Sequence, residues 1–195
     1  MSRNLSEMSL QELWKLFPIV LKNHNPDYKL WYEEEKNKIE NLIDKNLIVR
    51  ISHMGSTAVN GLIAKPTIDI LVEISEETDI GIITSKLKDF GWMLMFEENE
   101  PEFWLIFNKG YTPLGYAEKV YHLHIRFHRD WSELYFRDYL QLHDEVCREY
   151  ENLKFGLQSK FEHNRDGYTK AKTEFINKWT IKAREEFGQR YKPDN

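Results

Sequence analysis

The chain has almost no cysteine, and this limits the compartments in which it is expected to work. Cys147 is the single cysteine among 195 residues, so no disulfide can form within the chain. Disulfides belong to oxidising compartments, whereas intracellular proteins keep their thiols reduced. The cysteine content therefore favours a reducing, cytoplasmic location.

Long apolar segments are missing as well. No uninterrupted apolar run approaches the roughly 20 residues that a membrane-spanning helix needs. The first residues, MSRNLSEMSLQ, lack the apolar centre of a secretory signal peptide. These absences predict a protein that neither spans a membrane nor carries an export signal.

Positive charge is not in excess. The sequence holds 27 Lys and Arg against 32 Asp and Glu, which gives a formal net charge of −5 at pH 7. Proteins that bind nucleic acid along its phosphates usually carry a basic balance or a basic face. A nucleic acid partner is therefore not expected.

The sequence also lacks repeats and low-complexity linkers, and its length suits a single domain, 1–195. Within it we predict N-terminal helices over 1–45, a sheet core over 46–129 and further helices over 130–190, from the periods of the apolar residues. The expected class is α/β (α+β), with a mixed β-sheet, helices packed on it and a C-terminal helical segment. Three local expectations are a hairpin over 92–107, a loop over 109–118 and a helix-capping box at Asp130.

What the chain does have is an informative stretch at residues 50–74, RISHMGSTAVNGLIAKPTIDILVEI. It predicts a strand, a loop that contains Gly55, and a second strand rich in β-branched residues. Asp69 interrupts that second apolar strand, and a carboxylate there requires a cation or hydrogen bonds to compensate its charge. The loop before it offers backbone N–H groups and the hydroxyls of Ser56 and Thr57. The stretch therefore predicts a ligand site in which loop and strand take part.

This order of residues resembles the signature of the nucleotidyltransferase fold. In that superfamily a Gly-Ser turn holds the triphosphate, and a following strand presents metal-binding carboxylates as Asp-hydrophobic-Asp. Here twelve residues separate Ser56 from Asp69. The sequence resembles the GrpB-like family more closely still. The segments that carry this resemblance are HMGSTAVNGLIAKPTIDILV, LWKLFPIVL, YHLHI, FRDYLQLHDEVCREYENLK and YTKAKTEFI. The resemblance implies a nucleotidyltransferase-like mixed sheet.

One position departs from the superfamily signature. The second carboxylate of the pattern falls at position 71, which is Leu71. Glu73 is the next acid on that side of the strand, but at ~3.3 Å per residue it lies roughly 13 Å from Asp69, too far to share an ion with it. The resemblance thus implies a phosphate-binding loop with half of a metal site, which is also the form of the GrpB-like pattern.

Residues 121–128 form a second informative stretch. Tyr, Leu, Ile and Phe occupy the odd positions, and His, His, Arg and His occupy the even ones. Side chains of a strand alternate between its faces, so one face is apolar and the other is polar. A solvated sheet face gives this pattern, but clustered histidines indicate metal or phosphate contact. We expect His122 and His124 to bind a divalent ion together with Asp69; Mg²⁺, Mn²⁺ and Zn²⁺ stay open, with the nitrogen ligands favouring the latter two.

The candidate site residues fall into two groups. The catalytic residue is expected to be Asp69, and the metal ligands Asp69, His122 and His124. The residues expected to bind phosphate or nucleotide are Gly55, Ser56, Thr57, Lys65, Arg126, Arg137 and Lys172. Composition alone favours a surface or helix-pairing role for Arg137 and Lys172. The family resemblance instead implies that both residues belong to the site. Glu73 and His128 are the candidates for the base that activates an acceptor.

Three functions fit these residues, and each has a nucleotide or a phosphorylated small molecule as its partner. The first is metal-dependent transfer of a nucleotidyl group to a small acceptor. The second is binding of a nucleotide or coenzyme without chemistry, which is favoured by Leu71 and by the occurrence of GrpB-like domains joined to a coenzyme A biosynthetic kinase. Hydrolysis at a His/Asp metal centre ranks last, because no histidine pattern here supplies a full ligand set.

Overall fold

The computed structural model describes residues 4–193. Five strands form one sheet: β1 (Ile48–Met54), β2 (Ile68–Ile74), β3 (Met93–Glu98), β4 (Trp104–Thr112) and β5 (Gly115–Phe127). Their order across the sheet is β1-β2-β5-β4-β3. β2 and β5 run parallel, and the other neighbouring strands are antiparallel. The predicted mixed sheet is confirmed.

The described residues also form these α-helices, in chain order: α1 (Leu10–Leu16), α2 (Tyr28–Leu42), α3 (Ile80–Asp89), α4 (Ser132–Leu142), α5 (Asp144–Phe161), α6 (Arg165–Ala171) and α7 (Thr173–Phe187). The predicted C-terminal helical segment corresponds to α4–α7. Within residues 4–193 no helix is both long enough and apolar enough to cross a membrane.

Helices α2 and α3 cover one face of the sheet. Apolar side chains that alternate along β2 and β5 pack against these helices and are fully buried; they include Ile68, Ile70, Val72, Leu123 and Ile125. Because side chains alternate, Asp69 and Leu71 on β2 and His122, His124 and Arg126 on β5 lie on the opposite face. The predicted alternation along 121–128 is confirmed.

Two local predictions are wrong. Residues 109–118 do not form a loop, because β4 and β5 continue as one long hairpin in which Thr112 pairs with Gly115. The pairing register shifts near Gly110, where a Cβ atom would collide with the Lys119 carbonyl oxygen, so the glycine accommodates a bulge within the hairpin. The capping box at Asp130 is also absent, since that carboxylate pairs with Arg184 of α7.

The second face of the sheet is only partly covered. Met54 and Leu71 of the sheet pack against Leu134 of α4. Beyond this contact the C-terminal helices bury apolar side chains against one another, among them Tyr135, Phe136, Tyr139, Val146, Tyr150 and Ala183. The remaining part of the face, along β5 and the loop after β1, is left open toward these helices.

Candidate functional site

A cleft of about 890 Å³ lies between this second face of the sheet and helices α4–α7. Small-molecule sites typically occupy some hundreds of Å³, so the cleft has room for a ligand of nucleotide size. All ten side chains or backbone positions named as site residues from the sequence line it: Gly55, Ser56, Thr57, Lys65, Asp69, His122, His124, Arg126, Arg137 and Lys172. The structure therefore brings the predicted residues to one cavity.

The loop after β1 turns directly against the Asp69 side chain. Met54 pairs with Asp69 in the β1–β2 ladder, so the next residue, Gly55, reverses the chain over the carboxylate. Gly55 has a φ of 73°, and a Cβ atom at this position would overlap the Asp69 Oδ2 atom. A glycine is therefore required both for the backbone conformation and for the close approach.

The two hydroxyls of the loop have different surroundings. The Thr57 hydroxyl is buried, donates to the Thr67 carbonyl oxygen at 2.9 Å and accepts from His53 Nε2 at 3.1 Å. Ser56 and Tyr150 of α5 both line the cleft. Thr57 thus fixes the loop to the chain before β2, and Ser56 is the hydroxyl that remains beside the cleft.

Asp69 is the first member of a chain of hydrogen bonds that the sequence does not indicate. Its Oδ1 atom lies 3.0 Å from His122 Nδ1, and the other ring nitrogen of His122 lies 2.7 Å from the Tyr111 hydroxyl. Arg165 Nη2 donates to the same hydroxyl at 2.8 Å. The hydroxyl proton is therefore free to point at His122 Nε2, which leaves the imidazole proton on Nδ1, directed at Asp69.

The charge of Asp69 is maintained by this environment. Burial alone would raise the pKa of its carboxyl, but the hydrogen bond with His122 and the positive charge of Lys65 hold the pKa below its usual value. Its side chain keeps 28% of its surface exposed, toward the cleft. Asp69 is thus an ionised carboxylate within reach of a ligand.

His124 is held by a different partner. The Trp104 indole N–H donates to His124 Nδ1 at 3.3 Å, and the two rings stack. Because an indole can only donate, His124 Nδ1 carries no proton and the neutral ring has its proton on Nε2. Burial lowers the pKa of His124 to about 3, so the ring stays neutral at physiological pH.

These hydrogen bonds bear on the predicted metal ligands. Coordination of an ion by His122 would break its bond with Tyr111 or with Asp69, and coordination by His124 would break its bond with Trp104 or displace the Nε2 proton. No group of three or more His, Cys, Asp or Glu side chains in the described part of the chain could hold an ion. The residues fit an ion that takes one carboxylate from the protein and its other ligands from bound phosphates, as Mg²⁺ commonly does.

Two lysines in the cleft lack protein partners. Within residues 4–193 the ammonium group of neither Lys65 nor Lys172 forms an ion pair or a hydrogen bond, and both ammonium groups lie over the Tyr168 ring, at 5.7 and 4.6 Å from its centroid. Burial lowers the pKa of Lys65 to about 7, helped by the charges of Lys172 and Arg165. Burial likewise lowers the pKa of Lys172 to about 8.

Two further cations of the cleft were not found from the sequence. Arg165 at the start of α6 binds the Tyr111 hydroxyl, and its guanidinium lies over the Tyr111 ring. Lys154 of α5 is buried and donates to the Ile63 carbonyl oxygen. The sequence carries no local signal for either residue, because each reaches the cleft only through the packing of the C-terminal helices.

Arg126 lies in a different part of the cleft from these lysines. Its guanidinium lies over the Trp104 ring and over the Trp131 ring, 4.2 and 4.3 Å from their centroids, and Nη2 binds Glu133 at 2.9 Å. Arg126 follows His122 by four residues along β5, which is about 13 Å of strand. The structure therefore separates Arg126 from the phosphate-binding group in which the sequence placed it.

Arg137 already has a full set of protein partners. It binds Asp138 Oδ1 through two nitrogens, the His53 carbonyl oxygen at 2.9 Å and the Tyr191 hydroxyl at 2.9 Å. These contacts tie α4 to β1 and to the residues after α7. Phosphate binding by Arg137 stays a prediction, and the contacts in the structure indicate a structural role.

The two residues considered as a general base lie elsewhere. Glu73 is fully buried, accepts from Arg50 through both carboxylate oxygens, and lies 3.0 Å from His128 Nδ1. Neither Glu73 nor His128 is among the described residues that line the cleft. Both therefore serve an internal ion-pair network.

Leu71 shows what replaces the second carboxylate. Its side chain is fully buried against Met54 and Leu134, with Trp131 and Tyr191 nearby. This position is apolar and closed by α4, so an acid here would be buried among apolar side chains. The loss of the carboxylate is thus part of how α4 packs on the sheet.

The family is shown by comparison with known proteins. The profile described as GrpB protein matches residues 18–182. The chain belongs to the GrpB family. It is 31% identical over 166 residues to the glutamate-rich protein GrpB of Alkalihalophilus pseudofirmus, covering 81% of this chain and 91% of that protein. It is also 34% identical over 127 residues to the UPF0157 protein PA4798 of Pseudomonas aeruginosa, covering 65% of this chain and 52%, about half, of that relative.

Solved structures agree with this assignment. The crystal structure of conserved protein GrpB from Enterococcus faecalis has a TM-score of 0.75 and 26% identity, over 86% of this chain and 99% of that one. The Cid1 poly(U) polymerase, in a structure with Mg and 3′-dATP bound, has a TM-score of 0.51 and 10% identity, over 83% of this chain and 51% of that one. The second likeness concerns the fold alone, and it confirms a nucleotidyltransferase-like fold for this GrpB protein.

Proposed function

We propose that this chain binds a nucleotide, or another small molecule with several phosphates, in the cleft beside Asp69. The observation that carries the proposal is a set of partly buried cations that have no carboxylate partner within residues 4–193: Lys65, Lys172 and Arg165. Cations kept away from water require a counter-charge. Asp69 supplies one negative charge for three cations, so an anionic ligand would complete the site.

The phosphates would lie along the turn at Gly55 and Ser56, where backbone and hydroxyl groups face the cleft. A divalent ion held by Asp69 and by phosphate oxygens would neutralise negative charge on the phosphates. His122 would keep the carboxylate ionised and oriented through its Nδ1 proton. Direct coordination by His122 and His124 stays a prediction; an unchanged metal content in His122→Ala and His124→Ala, measured by elemental analysis, would exclude it.

Binding is tested by thermal unfolding with each of the four nucleoside triphosphates and with coenzyme A precursors, with and without Mg²⁺. A ligand at about 100 times its Kd stabilises the folded state by about 2.7 kcal/mol, or roughly 5 to 10 °C for a chain of this size. We expect this shift to be lost in Lys172→Gln. It should persist in Lys170→Gln, which removes an exposed lysine of α6, two residues before Lys172, that does not line the cleft. No shift with any of these compounds would refute the proposal.

Two outcomes after binding remain distinguishable. Transfer of a nucleotidyl group is favoured by the ionised Asp69 at the phosphate loop, and it predicts metal-dependent binding that Asp69→Asn weakens, with pyrophosphate release when an acceptor is present. Binding without chemistry is favoured by the buried Leu71, and it predicts metal-independent binding that survives Asp69→Asn. Pyrophosphate assays on wild type and Asp69→Asn separate these two functions.

A further inference from the structure

The part of the cleft around Arg126 is set apart from the cations assigned to phosphates. In the β2–β5 ladder His122 pairs with Asp69, whereas Arg126 pairs with Glu73, four residues farther along both strands. Trp104 of the neighbouring strand β4 pairs with Arg126. We call the side chains of Trp104, His124, Arg126 and Trp131 the indole end of the cleft; all of them line it.

Arg126 has an unused donor in this end. Its side chain is 7% exposed, and Nε is buried without a hydrogen-bond partner among residues 4–193. The guanidinium carbon lies over both indole rings, so flat apolar surface surrounds much of this cation. A buried N–H group without an acceptor is costly, which indicates that something other than the protein supplies the acceptor.

His124 presents a second donor on the same face. Trp104 donates to Nδ1, so the neutral ring carries its proton on Nε2, and no hydrogen bond within the described residues engages that atom. His124 and Arg126 are two residues apart on one strand, which places their Cα atoms about 6.6 Å apart on one face. The indole end therefore combines a cation and two N–H donors with two flat apolar rings.

We propose that the indole end binds an anionic group, a carboxylate or a phosphate, of a second small substrate. The edge of a guanidinium offers parallel N–H groups that match two oxygens of such a group. Its present partner is Glu133, whose side chain is 39% exposed and can leave Arg126 for water. That this second ligand accepts the nucleotidyl group rests on the proposed nucleotide function. The anion site itself does not rest on that function.

The test uses malonate and inorganic phosphate as probes of the two kinds of anion. The indole N–H signals of Trp104 and Trp131 can be assigned in ¹⁵N-labelled protein from Trp→Phe variants, and each probe is then titrated. We expect saturable shifts of the Trp104 signal, and the probe that saturates at the lower concentration identifies the anion. No movement of either indole signal with either probe would overturn the proposal.

Variants link the shift to Arg126. Arg126→Lys keeps the charge but removes Nε, and we expect it to weaken probe binding about tenfold. Arg129→Lys is the matched control, because Arg129 is exposed, pairs with Glu76 and does not line the cleft. Unaltered probe binding in Arg126→Lys would contradict the assignment.

Two more variants complete the design. Glu133→Gln removes the carboxylate that competes for Arg126 at an accessible position, so probe binding should become tighter; this measurement decides the question if Arg126→Lys does not fold.

Lys172→Gln should abolish the nucleotide shift while malonate binding persists. Loss of malonate binding in Lys172→Gln would place the probe among the phosphate-binding cations and refute the indole end as a separate site. Failure of nucleotide binding in wild type, with malonate binding intact, would refute only the proposed function.

Discussion

At the scale of single residues, the contact between Gly55 and Asp69 gives the sharpest expectation. Gly55 and Gly61 have similar φ values, 73° and 77°, but a Cβ atom would meet Asp69 at Gly55 and nothing within 4 Å at Gly61. Gly61→Ala should cost about 1 to 2 kcal/mol of unfolding free energy from backbone strain. Gly55→Ala should cost clearly more, as measured by urea unfolding. Equal losses in the two variants would mean that the close approach is unimportant.

The two partnerless lysines predict how binding depends on pH. Burial lowers the pKa of Lys65 to about 7 and of Lys172 to about 8, and the facing groups are Arg165, Asp69 and the Tyr168 ring. An anionic ligand favours the charged form of both lysine amines and therefore raises their pKa values. At a pH above the pKa values of the free protein, binding is then accompanied by proton uptake. Affinity should therefore fall as the pH rises past about 8, where nucleotide phosphates are already fully ionised.

Calorimetry in buffers of different ionisation enthalpy measures this proton uptake directly. Lys172→Arg is the matched variant, because an arginine is already charged throughout this range and contributes no proton uptake. The same uptake in Lys172→Arg as in wild type would exclude Lys172 from the linkage.

At the scale of elements, the packing of α4 on β2 explains the incomplete metal signature. Leu71→Asp would restore the Asp-hydrophobic-Asp order, yet it would place a carboxylate between Met54 and Leu134. We expect a loss of about 3 to 5 kcal/mol in urea unfolding, as for other uncompensated buried charges. The control Leu71→Met keeps volume and polarity and should cost less than about 1.5 kcal/mol. Wild-type stability of Leu71→Asp, with a gain in metal affinity, would contradict this view.

The strands show how far sequence patterns reach. The alternation along β5 and the Gly55–Asp69 spacing predicted that Asp69, His122 and His124 lie beside the glycine loop, and all of them line one cleft. These patterns are informative because they indicate which face of a strand meets the core. The loop expected at 109–118 was wrong, since Gly110 permits a bulge within a hairpin as well as a loop. Tyr111, at the end of β4, therefore gave no sign that it would bind His122.

At the scale of the whole molecule, we expect stability and ligand binding to depend on different cations of the same cleft. Arg137 joins α4 to β1 and to Tyr191, whereas the Lys172 ammonium group pairs with no carboxylate within residues 4–193. Arg137→Gln should cost about 2 kcal/mol or more, because Asp138 loses a charged partner. Lys172→Gln should leave unfolding free energy unchanged or higher while nucleotide binding is lost.

Paired urea unfolding and nucleotide titrations on both variants check this division. A destabilised Lys172→Gln would show that this lysine contributes to the folded state through contacts of its own. Loss of nucleotide affinity in a stably folded Arg137→Gln would restore the phosphate-binding role that the sequence predicts for Arg137.

The sequence by itself determined the sheet, the glycine loop after β1 and the isolated carboxylate at Asp69, because each follows from local spacing and from the period of apolar residues. Only the tertiary structure decided which side chains complete the cavity. Arg165 and Trp131 lie far along the chain from β2, and helices bring them in by packing their apolar sides on one another. The packing of a helix through its apolar side determines where its polar residues point. A short segment of sequence does not determine that packing, because it depends on contacts with residues far away in the chain.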